Sequence, residues 1–223
     1  MSYSLYYADR SAAMGVRVIL EEIGAPYELI WTDILPGSTR EPEFLSLNPN
    51  GWIPVLVWQE GAIYECGAIT VFLCDRHSEA GLAPAPGDSE RGLYLQWLFF
   101  FSSSLQNAYQ MTYYTDRFCS SKEDQLSVKR RSNSRLRELW QVVDDAIGES
   151  DWLLGKRFSA ADIYLFMLTT WLNEFLEHPS LESFPNVERV ATEIMNRPSV
   201  ARIYSSYISD RLAGKSRDPW PGP

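Results

Sequence analysis

Residues 47–76, LNPNGWIPVLVWQEGAIYECGAITVFLCDR, constrain this chain more than any other stretch. Asn48-Pro49-Asn50-Gly51 is turn chemistry, because Asn and Gly tolerate positive φ and Pro presets its own. Ile53-Pro54 then opens the apolar run Val55-Leu56-Val57. Proline lacks an N–H and is accommodated at the first residue of a strand. A tight bend at an X-Pro bond is also where a cis peptide is expected. Gln59-Glu60-Gly61 turns the chain back into a second strand, Ala62-Ile63-Tyr64. Glu65 and Cys66 then start a helix that carries Ile69, Phe72 and Leu73. A helix start exposes unpaired N–H groups and favours negative charge. The whole describes a platform for an extended, peptide-like ligand, with Glu65 placed to meet an amino group.

The rest of the chain divides by pattern. Before the platform, Ser4–Tyr7 reads as a strand, Met14–Ile23 as a helix stopped by Gly24, and Tyr27–Trp31 as a second strand. Residues 33–40, with Pro36 and Gly37, read as a loop, and Glu41–Leu47 as a short helix. A stretch rich in Pro, Gly and Ala at 80–88 reads as a linker. Strand signals vanish after it. One long helix is expected over Ser89–Arg117, with Leu93, Trp97, Phe101, Leu105 and Ala108 on its inner face. Further helices are expected over Lys122–Ile147, after the capping sequence Ser159-Ala160-Ala161-Asp162, over Pro185–Met195 and over Pro198–Leu212. The chain closes on an irregular tail from Arg217.

Composition removes several classes of function. The 223 residues are 45% hydrophobic and 13% aromatic, enough for a sizeable core. A net charge of −9 opposes non-specific nucleic-acid binding, which needs Lys and Arg against phosphates. No apolar run is long enough to span a bilayer, and the start lacks a signal-peptide plan, so a cytoplasmic protein is expected. Cys66, Cys74 and Cys119 have no metal-like or CxxC spacing, and His77 and His178 stand far apart. Neither a zinc site nor a histidine triad is expected, and Cys74 reads as a core residue.

Asn48, Pro49, Gly51, Ile53, Pro54, Leu56, Glu65, Ala68 and Ile69 together resemble the ligand-binding motif of the cytosolic glutathione S-transferase superfamily. FSAADIYL, residues 158–165, is similar to that family's buried capping motif. The resemblance implies an α+β first half and an α second half: a thioredoxin-like glutathione-binding domain over 1–79 and an all-helical domain over 89–223. It implies glutathione as co-substrate, no metal, a homodimer, a role in detoxification, and conjugation to an apolar electrophile. Carried over residue by residue, Ile53 pairs with the cysteinyl backbone of glutathione with Pro54 fixing the geometry, and Glu65 with Cys66 holds its γ-glutamyl end.

Three positions depart from the family pattern. Cys66 stands where Ser or Thr is usual. Trp52 stands where Lys or Gln often reaches the glycyl carboxylate, which leaves its indole N–H, or Arg40, for that end. The sulfur-activating position falls at Arg10 and Ser11, with Tyr7 at the strand end as a third candidate; Ser11 is placed first, and it also suits capping of the first helix. Tyr109, Met111, Tyr113 and Tyr114 are the expected hydrophobic substrate pocket. Two other functions use the same features: a non-catalytic glutathione-binding or interaction protein, and a thiol-disulfide reductase working through Cys66.

Overall fold

The computed structural model describes residues 2–34 and 38–213. The Pro36-Gly37 centre of the expected loop and the tail from Arg217 lie outside the described residues. The first half is a four-stranded sheet in the order β2-β1-β3-β4. Strand β1 (Tyr3–Tyr7) pairs parallel with β2 (Tyr27–Trp31), with Leu5 opposite Leu29. A parallel pair needs a crossover, and helix α1 (Ala13–Glu22) supplies it. After the short α2 (Pro42–Leu47), β3 (Val55–Trp58) pairs antiparallel with β1, placing Leu56 opposite Leu5. A two-residue turn then folds β4 (Gly61–Tyr64) onto β3, with Tyr64 opposite Val55. Helix α3 (Cys66–Arg76) follows directly.

The second half is helical. Helix α7 (Ala160–Thr169) is its centre, and every one of its ten residues is buried. Such a helix shows no amphipathic stripe because all its faces meet protein. Its first turn is closed by a capping box. Ser159 Oγ accepts from Ala161 N–H, and the Asp162 carboxylate accepts from Ser159 N–H at 2.8 Å and Leu153 N–H at 2.9 Å. Helix α1 crosses α7 at Gly15, where a Cβ would lie 2.8 Å from Met167 Sδ. The linker is pinned rather than loose. Leu82 is buried, its carbonyl accepts from Ala160 N–H at 2.8 Å, and Arg157 reaches the Ala83 carbonyl, Asp88 and Glu90.

Two expectations are corrected here. The single helix over 89–117 is instead α4 (Arg91–Phe99), a π-helical segment (Phe100–Leu105) and α5 (Gln106–Tyr113). Trp97, Phe101, Leu105 and Ala108 are buried, but Leu93 is 40% exposed. Leu93 lies in α4 ahead of the π segment and falls at the edge of the inner face, which stays buried from Trp97 through Ala108. The helix expected over 198–212 is two, α9 (Pro198–Ile203) and α10 (Ser205–Leu212), broken at Tyr204. The long α6 (Lys122–Ile147) and α8 (Pro185–Met195) lie where the pattern put them. Among the described residues no helix is long and apolar enough to cross a membrane.

The two halves are tied by Glu22 at the end of α1. Its carboxylate accepts from Arg197 Nε at 3.1 Å and Nη2 at 2.5 Å, and from the Ser199 hydroxyl. Burial raises this carboxyl, but the bonds from Arg197 and Ser199 outweigh it and hold the group below its ordinary value. A depressed carboxyl stabilises the fold above its unfolded pKa, and that stability is lost as pH falls through the folded pKa. Glu22→Gln is therefore expected to lower the unfolding free energy by about 1–3 kcal/mol at pH 7. Urea titrations of both proteins should find the difference shrinking in acid.

Candidate functional site

The cleft between the sheet's strand ends and the helical half holds a cavity of about 120 Å³, open on one side. Its sheet-side wall is Arg10, Ser11, Ala12, Ile34, Trp52 and Ile53. Its helical wall comes from α5, with Gln106, Tyr109, Gln110 and Tyr113, from Tyr114 just beyond, and from residues 170–173 after α7.

The sheet-side wall is built by local backbone choices. The Ile53–Pro54 peptide is cis. Asn48 orders the preceding turn, its side chain donating to the Trp52 carbonyl at 2.7 Å and accepting from Asn50 N–H. Glu65 sits at the cap of α3 with φ 74°, a region that non-glycine residues seldom adopt, and its side chain is exposed. Arg10, with φ 59°, is a second such residue and lies on the cavity wall. Backbone strain of this kind is retained where the surroundings over-determine it, often at functional sites.

The sequence-derived candidates fare differently. Ser11 is on the wall but only 8% exposed. Its hydroxyl donates to the Ala8 carbonyl at 2.7 Å and accepts from Ala13 N–H at 3.2 Å, which orders the entry to α1. Tyr7 is not on the wall. Its hydroxyl donates to Asp9 at 2.6 Å, its ring packs edge-on against Trp31, and burial with the Asp9 bond pushes the phenol up to about 12. A phenol committed to a carboxylate is a poor donor to a thiolate, so Tyr7 is withdrawn as the activating group. Arg40 is committed as well, its Nε donating to the Gly51 carbonyl at 2.8 Å and its Nη1 to the Asp33 carbonyl.

Cys66 is buried at the first turn of α3, its Sγ 3.7 Å from the Ala12 carbonyl, and is not on the wall. Burial pushes its thiol up to about 12. The reductase reading required a lowered thiol pKa and access, and the thiol has neither. What Cys66 offers a ligand is its main chain, because a helix leaves its first N–H groups unpaired.

On the helical wall, Tyr113 faces the cavity with its hydroxyl donating to the Trp171 carbonyl at 2.7 Å. Tyr109 touches the cavity but is 1% exposed, fixed by Trp140 Nε1 and the Leu168 carbonyl. It is a core residue that backs the wall. Met111, by contrast, is not on the wall: it belongs to another face of α5. Gln106 and Gln110 had no place in the sequence reading. Their spacing of four, in step with Tyr113, puts them on one helix face and was the available signal. Tyr164 donates to Gln106 Oε1 at 2.6 Å and so orients its carboxamide. Residues 170–173 follow the end of α7 and carried no motif.

Comparison with known proteins gives this geometry its context. The sequence model of the glutathione S-transferase N-terminal domain matches residues 1–74, and that of the C-terminal domain matches residues 95–198. The chain belongs to the glutathione S-transferase family. It is 27% identical over 207 residues to the glutathione S-transferase-like protein gedE of Aspergillus terreus, covering 86% of this chain and 90% of that one. It is equally 27% identical over 206 residues to the disulfide-bond oxidoreductase YfcG of Escherichia coli, covering 89% and 92%. A sphingomonad glutathione S-transferase solved in complex with glutathione superposes with a TM-score of 0.77 at 25% identity, covering 91% of this chain and 98% of that one. Solved relatives of this family bind glutathione as substrate, and the thioredoxin-like half with its helical partner is the family's fold.

The three thiols, all unpaired, give a direct check on the buried position of Cys66. Cys119 is half-buried, whereas Cys66 and Cys74 are buried with thiols pushed up to about 12. Iodoacetamide at pH 8 is expected to label Cys119 in the native protein at least about tenfold faster than the other two, with all three labelling alike in denaturant. Peptide mass mapping would read the order.

Proposed function

We propose that this chain is a glutathione transferase that binds glutathione along Ile53, holds its sulfur as thiolate, and joins it to a hydrophobic electrophile. The observation that carries the reading is that one cavity is shared by Ile53, by Arg10 and Ser11, and by the aromatic wall of α5. An extended tripeptide pairs with the main chain at Ile53 as an added strand would. The α-ammonium of its γ-glutamyl end meets Glu65, and the carboxylate there takes the free N–H groups at the start of α3.

Sulfur then lies toward Arg10 and Ser11. Ser11 donates its proton to Ala8, so Arg10 is placed first for stabilising the thiolate, by charge and without a proton transfer. The thiol proton leaves to solvent and the sulfur lone pair forms a bond to the electrophilic carbon. In a substitution the leaving group departs with its electron pair; in an addition the adjacent carbon takes up a proton. Tyr113, Tyr114, Trp52 and Trp171 favour an apolar or aromatic electrophile, and Gln106 and Gln110 add hydrogen bonds that orient it. The reading places the protein in the cytoplasm, where glutathione keeps thiols reduced. It also makes the protein a homodimer, to which the exposed Phe99 of α4 would lend apolar surface.

Calorimetry with glutathione tests the platform. Binding by the wild type, weakened about tenfold or more in Glu65→Ala, is expected for a charged contact of this kind. Absence of wild-type binding would favour the interaction-protein alternative. With the ligand bound, Arg10→Gln should raise the thiol pKa by about one unit and lower kcat/KM for a chloronitrobenzene-type electrophile about tenfold or more, read from the pH dependence of thiolate absorbance and of conjugation.

A further inference from the structure

Trp52 leaves an extended ligand's far end without the side-chain cation that an anionic terminus requires. Strand register fixes which end this is. Tyr64 lies opposite Val55, so Glu65, the next residue, comes beside Pro54. Trp52 lies on the other side of Ile53 from that point. A ligand paired at Ile53 with its amino end toward Glu65 thus turns its other terminus toward Trp52.

A cation is nonetheless present there, delivered from the helical half. After α5, residues Thr115–Arg117 form a 3₁₀ turn whose Arg117 N–H bonds the Tyr114 carbonyl at 2.9 Å. Side chains three apart on such a turn eclipse one another, which directs Arg117 onto the Tyr114 ring. Trp52 and Tyr114 stand perpendicular, 87° apart with centroids at 5.1 Å. The Arg117 guanidinium fills the corner between them, 4.3 Å from each centroid. Among the described residues it has no carboxylate partner and no hydrogen bond. Its five donors are oriented by stacking and remain unspent, unlike those of Arg40, two of which bind main-chain carbonyls.

We infer that Arg117, held in the Trp52–Tyr114 corner, binds the glycyl carboxylate of glutathione, so that the helical domain completes the site at the end where the sheet domain offers an indole and an arginine, Arg40, that braces the main chain. The inference rests on the proposed glutathione binding. It assigns Trp52 a different task from the residue type usual at that place: it orients a cation instead of supplying one. A planar fork meeting a carboxylate edge-on is the geometry guanidinium favours.

The test uses glutathione and its glycyl monoethyl ester, titrated calorimetrically into the wild type, Arg117→Gln and Arg117→Lys. The ester keeps the γ-glutamyl end and the thiol and lacks only the glycyl charge. In the wild type the ester should bind about tenfold more weakly than glutathione, the usual scale for one charge-assisted hydrogen-bonded contact near the surface. In Arg117→Gln, glutathione should weaken by a similar factor while the ester is unchanged, so the ratio falls to about one. Arg117→Lys, which keeps charge without the fork, should fall between. A ratio that stays near tenfold in Arg117→Gln would overturn the inference, as would a wild type that does not distinguish the two ligands. Equal weakening of both ligands would also overturn it, since that marks Arg117 as a mere brace for Trp52. No glutathione binding by the wild type would remove the transferase reading together with this one; wild-type binding with an Arg117-independent ratio removes this one alone.

Discussion

The capped start of helix α7 is the constraint on which the remaining structure depends. Asp162 is fully buried and satisfies Ser159 and Leu153 with its carboxylate. Without it, buried N–H groups would be left unpaired, each costing roughly 1–3 kcal/mol. Helix α7 then does three jobs. It receives α1 at Gly15 and Met167, it anchors Tyr109 through the Leu168 carbonyl, and it ends in the Thr170–Asn173 segment of the cavity wall. Both walls of the site are therefore referenced to one buried helix. A shift at its start would be felt in the cleft, because a close-packed interior transmits displacement rather than absorbing it.

Much of the sheet domain was legible in the sequence because its signals are local. The turn at 48–51, the proline before a β run and the Glu-Cys helix start each act within a few residues. The boundaries of α6 and α8 were legible for the same reason: Ser121 accepts from Asp124 N–H to cap α6, and Pro185 opens α8. What the sequence did not disclose depends on contacts between distant segments. The bonds of Ser11 to Ala8 and of Tyr7 to Asp9 are the exception: they are local, three and two residues apart, but spacing alone does not say which partner a hydroxyl takes. The reactive reading of Cys66 assumed exposure at a helix start, and tertiary burial reversed the sign of its pKa shift. Met111 and Tyr113 both look suited to a pocket, and only the phase of α5 separates them.

Charge tells a related story at another scale. The chain carries a net charge of −9, yet Arg10, Arg40 and Arg117 gather around the cleft. Arg10 acts on the phenol of Tyr113, while Arg117 and Arg40 act on that of Tyr114, in each case against the burial that raises it. Average charge governs solubility and repulsion between molecules; the local field governs what enters a cleft. An acidic protein can thus present a positive mouth to a small anion.

The π-helical segment at 100–105 sets the rotational phase of everything that follows it. Each residue of an α-helix advances the side-chain direction by about 100°. A wider turn of this kind is equivalent to one residue inserted into a continuous helix. Its removal would leave α4 buried as it is and turn α5 by roughly a quarter of a circle. Each place would pass to the preceding residue, so Leu105, Tyr109 and Thr112 would stand where Gln106, Gln110 and Tyr113 now line the cavity. The two glutamines reach the cavity because α5 runs one residue out of step with an uninterrupted α-helix.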